Sequence, residues 1–464
     1  MTSRSFPRSL SSRTALTALA VLPLLGAAPL QAAPVPTLDP CAIALSPHRG
    51  GTAADREILR WQTHTREADR SLPYLERLGW AYVAKARASL DYGYYTLAEQ
   101  TADCLQATSP GAPEALLLRA HALHNLHRFR EAEALARELV ARRGLAYDYG
   151  LLGDLLMEQG QLEGAVSAYE QMMALRPSPE AYARAAHLRW LHGDLEGAIE
   201  AMRMALRGAD PRAPEAAAWY AVRLGHYLWQ AGDASAAAAL ATEALALQPD
   251  YPPALMLRGR LLLGQGRAEE ALPSLTRAAA QAPLPEYLWM LAEALGVAGR
   301  AQDAGRAEAE LMRRGATDDP RTLSLYLATS NRDPHRALRL ARQELTARRD
   351  AHTLDAVAWA LYAAGQQQAA RVTLAEALSC GVADARLYLH AAVLAGTPAE
   401  AHSWLQRARP LAAMLLPSEQ ARLDGLRQAL DRAASTANQH LVAHPMAANG
   451  RPGDLPDLKQ SSQP

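Results

Sequence analysis

The sequence predicts an all-α fold, a solenoid of paired helices, and three observations carry that prediction. Turn residues recur at a near-fixed interval: Gly93, Gly160, Gly193, Gly232, Gly266, Gly299 and Gly365 mark units mostly 33 or 34 residues apart, with His127 in the glycine place between Gly93 and Gly160, a longer step of 39 from Gly193 to Gly232, and one degenerate unit between Gly299 and Gly365. Between these turns lie apolar-periodic segments of about a dozen residues, many closed by proline, which read as antiparallel helices with punctuation. Small residues recur at the eighth and twentieth places of a unit (Gly153 and Ala165, Gly225 and Ala237), where two helix axes approach closely. A single helical pair cannot bury its apolar faces, so stacking supplies the core.

The elements follow in order. Residues 1–33 carry Arg4, Arg8 and Arg13, then the apolar stretch 14–28 broken by Pro23, and then Ala32 and Ala33. That is the layout of a secretory signal peptide, too short to span a membrane stably. No lipobox precedes Cys41, and no later run is long enough to cross a bilayer, so the expected product is exported, soluble and periplasmic. The N-terminal segment 34–78 contains one helix, at 55–71. The repeat array occupies 79–410, in about ten units. RGADPRAPEA (207–216) is an insertion, SNRDP (330–334) is the turn of a degenerate unit, and 384–409 is a shorter pair. A polar capping helix fills 411–441, with Ser418 as N-cap, and the Pro/Gly/Ser-rich tail 442–464 is expected to be disordered.

The best unit names the resemblance. Tyr149, Leu152-Gly153, Leu156, Ala165, Tyr169 and Pro177 match the spacing W-x2-L-G-x2-Y…A-x3-F…P. Leu224-Gly225, Leu228, Gly232, Ala237 and Pro249 form a second copy. Leu255, Gly259, Leu262, Gly266, Ala271 and Pro283 form a third. The chain therefore resembles the tetratricopeptide repeat (TPR) family. The resemblance implies a right-handed superhelix whose concave groove holds peptides or partner segments, and a scaffold without catalytic activity.

Composition narrows the partners. The chain has 48 basic and 48 acidic residues, and removing residues 1–33 would leave a net charge of −3. No basic run suits nucleic acid. No HExxH, CxxC, G-x-S-x-G or phosphate-binding glycine loop is present, so neither an active site nor a cofactor is expected. Of the three cysteines, Cys41 and Cys104 are the candidate disulfide; the alternative is inert thiols.

Binding residues are sought on one stripe of each first helix, at places 2, 5, 9 and 12. In the TPR family that stripe lines the groove. Here it carries Trp80, Arg87, His121, His124, Tyr147, Asp154, His187, Trp190, Trp219, His226, Trp229, Arg260, Trp289, Glu293, Trp359 and Tyr362. Ionisable groups at place 9 do not suit a helix buried on all sides, and Trp, Tyr and Arg often dominate interface energetics. The competing reading is that the rings fill packing between degenerate repeats. Replacing Trp190 and Trp229 by Ala discriminates: loss of binding with helicity intact assigns a groove. The expected partner is another envelope protein or a peptide segment. A structural subunit of an envelope assembly or polysaccharide-export machinery is one alternative. A second is metal handling by histidines, suggested by His121, His124 and His127 in HALHNLH. Tyr82, Tyr92, Tyr94 and Tyr95 either seal the first end of the array or form a stacking platform.

Overall fold

The computed structural model describes residues 39–443; the expected signal segment and the tail beyond Ala443 lie outside the described residues. Every regular element among the described residues is helical. A short helix, α1 (Pro40–Ala44), and α2 (Ala53–Glu67) precede ten consecutive pairs. These are α3 (Leu72–Ser89) with α4 (Gly93–Thr108), α5 (Pro113–Asn125) with α6 (Phe129–Arg142), and α7 (Ala146–Glu158) with α8 (Leu162–Leu175). Next come α9 (Pro179–Leu191) with α10 (Leu195–Arg207), α11 (Pro214–Gln230) with α12 (Ala234–Leu247), and α13 (Pro252–Gly264) with α14 (Ala268–Gln281). Then α15 (Pro285–Val297) pairs with α16 (Ala301–Asp318), and α17 (Pro320–Thr329) with α18 (Pro334–Ala347). The last pairs are α19 (Ala351–Ala363) with α20 (Gln367–Leu378) and α21 (Ala385–Leu394) with α22 (Pro398–Ala408). A 3₁₀ segment, Arg409–Met414, leads into α23 (Pro417–Ala443). Among the described residues no helix is long and apolar enough to cross a membrane.

Local chemistry explains the punctuation. Proline opens many first helices, where its missing N–H has no partner to lose. Asp194, Asp233, Asp333 and Asp350 cap the helices that follow them. His127 adopts φ 59° and Asn331 φ 52°, so both take the left-handed conformation that glycine takes at the other turns. Two expectations need correction. Leu90 (φ 52°), not Gly93, is the left-handed residue of the first turn, and Gly93 begins α4. Ser418 does not cap the last helix: Pro417 starts it, Glu419 accepts the Leu416 N–H at 2.9 Å, and Ser418 bonds elsewhere. Close approach within pairs is real at Gly153, where an added Cβ would lie 2.3 Å from the Tyr169 ring.

The first end is closed by α1 and α2. Cys41 and Cys104 form a disulfide linking α1 to α4. Tyr82 donates to the Ala44 carbonyl at 2.7 Å, and Gln62 donates to the Tyr82 hydroxyl. Tyr82 and Tyr95 are buried and Tyr92 is 42% exposed, so the tyrosine cluster is mostly packing. Asp55 is buried beside Lys85 and His48, each 2.9 Å away. Burial alone would raise its pKa, but bonds from Lys85, Thr52 and His48 outweigh it and hold the carboxyl well below its ordinary range.

Contacts between distant repeats decide the tertiary arrangement. Arg349 N–H donates to the Glu158 carbonyl at 2.9 Å, and Gln230 donates to the Ala383 carbonyl at 2.7 Å. Arg260 donates to the Met414 carbonyl at 3.1 Å, Ser418 N–H to Glu293 at 3.0 Å, and Arg422 to the Thr329 carbonyl at 3.1 Å. Segments between 349 and 422 thus meet, in order, the C-terminal halves of first helices between 158 and 329. From the first end, Leu90 packs on the core that includes Leu255, and Arg87 pairs with Glu215 at 3.8 Å. The array closes on its own inner face.

Two turn glycines test this closure. Gly193 has φ 79°, and a Cβ there would lie 2.7 Å from the Gly381 carbonyl oxygen; Gly299 has φ 74° and open space. Gly299→Ala is expected to cost about 1–2 kcal/mol from the left-handed backbone alone. Gly193→Ala is expected to cost clearly more, because a backbone oxygen cannot swing aside. Urea midpoints compare them, and equal losses would show the contact to be absent in solution.

Candidate functional site

The residues of the expected stripe fall into two groups that differ in exposure and in what they touch. In the first half, Trp80 packs on His121 (centroids 5.2 Å apart) and edge-on to Tyr147 (6.0 Å). Tyr147 is 37% exposed. Asp154 takes Arg184 in a two-point bond at 2.7 and 2.6 Å and accepts from the Tyr169 hydroxyl. His187 stacks on Trp190 at 5.5 Å and meets Arg223 at 3.1 Å. Trp219, 39% exposed, lies against the Arg223 guanidinium at 5.9 Å. Arg87, beside Glu215, keeps half its side chain exposed. Helices α3, α5, α7, α9 and α11 thus present a continuous strip of rings and charges.

In the second half the chain covers its own stripe. Trp229, Trp289 and Trp359 are 6%, 4% and 1% exposed, so these three are core residues rather than free binding groups. Trp190 is half-buried: its indole donates to Gln230, which holds Ala383, and His352 stacks on it at 5.7 Å. Alanine at Trp190 and Trp229 would therefore remove packing, and the experiment reads folding before it reads binding. Arg260 and Glu293 are committed to Met414 and Ser418. Trp359 lies between His390 (3.8 Å) and Tyr362 (5.0 Å), with Arg422 over it. The burial follows from closure, which a helical wheel cannot register.

The histidines are held as neutral packing groups. Burial, aided by His124 and Arg87, pushes His121 down to about 3; burial and Arg223 push His187 down to about 3. His124 lies edge-on to Phe129 at 5.7 Å, and His127 stacks on the same ring at 5.5 Å. The run HALHNLH is thus divided between two aromatic clusters. Among the described residues, no group of three or more His, Cys, Asp or Glu side chains is placed to hold a metal ion. Arg223, at no stripe position, was missed; its signal is one helical turn from Trp219 on the same helix.

Comparison with known proteins bears on this architecture. Two tetratricopeptide repeat family profiles match, one over residues 151–217 and one over 228–295. No curated protein sequence matches the chain. Among solved structures, the human IFIT1 dimer with PPP-AAAA is similar at 13% identity, covering 70% of this chain and 77% of that one, with a TM-score of 0.47. PilW, a widely conserved type IV pilus biogenesis factor, is 18% identical over 47% of this chain and 100% of its own, with a TM-score of 0.38. PilF from Pseudomonas aeruginosa is 15% identical over 47% and 97%, with a TM-score of 0.37. The spacing of the repeats, their ten stacked helical pairs and the two family matches agree, and the chain is a tetratricopeptide repeat protein.

Proposed function

We propose that this protein is a non-catalytic interaction scaffold that holds a segment of another protein on the first half of its inner face. One observation carries the reading: Tyr147 and Trp219 stay more than a third exposed on a strip whose later positions are covered by the chain itself. Large amphipathic rings beside Arg87 and Arg223 supply both buried area and charged hydrogen bonds, the mix that anchors interfaces. The covered half supplies rigidity, so a partner meets a preorganised strip. The partner is assigned to the cell envelope. The disulfide between Cys41 and Cys104 and the signal-like layout of residues 1–33 both favour export to an oxidising compartment.

The test is a quantitative pull-down from periplasmic extract. It compares the wild type, Tyr147→Ala/Trp219→Ala, and Leu175→Ala, an exposed apolar residue on a second helix. Each partner retained by the wild type and Leu175→Ala is expected to fall at least about tenfold with the double variant. Undiminished retention by the double variant would sink the strip as the binding surface. Selective loss with Leu175→Ala would favour assembly through the outer face.

A further inference from the structure

A cavity of about 400 Å³ lies inside the array, within the range of small-molecule sites. Helices α11, α13 and α15 form one wall; α17, α19, α21 and the segment 414–419 form the other. Four of its five carboxylates are already engaged. Asp355 meets His390 at 2.7 Å, and Glu419 takes Arg386 at 2.5 Å. Asp319 and Asp384 accept backbone N–H groups at the starts of α17 and α21. Glu286 is largely exposed and comes only within 3.8 Å of Arg260.

The cations on the α11–α13 wall are not matched in the same way. Among the described residues Arg223 has no carboxylate partner: it meets the His187 ring, the Tyr227 hydroxyl and two aromatic faces. The Nε of Arg260 is buried without an acceptor, although its guanidinium reaches the Met414 carbonyl. Between them His226 faces the same cavity. Burial, then Arg260 and Arg223, hold its pKa well below the ordinary histidine value, so it adds no charge of its own. Guanidiniums presented to a cavity with donors to spare, where the one loosely held acid is the solvent-exposed Glu286, recognise planar or tetrahedral oxyanions.

We propose that this cavity binds a small oxyanion, a carboxylate or a phosphate, held by Arg223 and Arg260. The site shares Arg223 with the proposed strip but is otherwise lined by the half of the inner face that the chain closes itself. The ligand bonds the guanidinium groups of Arg223 and Arg260 and couples α11 and α13 to the segment that Arg260 already grips.

Isothermal titration of the full chain with citrate and with inorganic phosphate, in chloride of matched ionic strength, tests the site. Saturable one-to-one binding of at least one probe is expected, and which probe binds distinguishes carboxylate from phosphate. Arg223→Gln and Arg260→Gln are each expected to weaken it about 10- to 100-fold, the loss of one charged hydrogen-bonding group. Arg203→Gln, an exposed charge change on α10, and Tyr147→Ala should leave it unchanged. If Arg260→Gln does not fold, Arg260→Lys keeps the charge but not the guanidinium fork and should still weaken binding. Absence of saturable heat with either probe overturns the proposal, as does equal weakening by Arg203→Gln.

Discussion

Replacing Cys41 and Cys104 by serine is expected to destabilise the N-terminal end by about 2–5 kcal/mol, among the largest effects any pair of substitutions here would produce. The bond spans 63 residues of sequence, so in the unfolded chain it removes a large loop-closure entropy. It also holds α1, five residues long and too short to persist alone, against α4. Both sulfurs are buried, beside Ile58, Leu75 and Tyr82. Without the bond, α1 depends on single hydrogen bonds such as Tyr82 to the Ala44 carbonyl. Contacts in a solenoid are mainly local, so the loss should start at this end. Hydrogen exchange across residues 40–105, with thermal melts of the variant and of reduced wild type, measures it. An unchanged melt and unchanged protection would show that α1 and α2 hold without the covalent link.

Arg386→Ala is expected to cost about 3–5 kcal/mol, because it strands a buried carboxylate. Glu419 is 2% exposed and pairs with Arg386 at 2.5 Å. The pair joins α21 to the start of α23, and Arg386 also lies over Trp289. Replacing both members, Arg386→Met with Glu419→Leu, should recover most of that loss, since a buried ion pair exchanged for apolar groups is often near neutral. Recovery should be incomplete, because the Leu416 N–H loses its acceptor. Urea midpoints followed by tryptophan fluorescence, read through Trp289 and Trp359, give the comparison. If Arg386→Ala costs no more than the double variant, the pair is not buried in solution and α23 does not seat as described.

The repeat was legible because it rests on local chemistry. The interval of the turns, the caps and the small residues between paired helices each need only neighbours in sequence. Even the exceptions could be read this way: His127 and the Ser330–Pro334 turn take the place of glycine turns. Leu90 was not legible, since a leucine in the left-handed region has no local signal and is held by its packing on the core. The stripe was half legible. Helical geometry placed Trp80, His121, Tyr147, Asp154 and His187 on a common face, but it gave Trp289 and Trp359 the same status as Trp219. They differ because other parts of the chain, such as Arg422 over Trp359, reach some positions and not others.

What the sequence by itself determined is the unit: two helices, a turn of one handedness and an apolar face that demands a neighbour. Periodicity suffices for that, because each contact spans one or two repeats. Tertiary structure alone decided where the array closes, and so which groups stay free. Closure joins residues about 90 to 190 positions apart, each bond ending on a backbone carbonyl that any residue would offer, even where a side chain such as Gln230, Arg260 or Arg422 donates. Backbone atoms leave no mark on side-chain pattern, which is why the covered half of the inner face and its cavity emerge only from the folded chain.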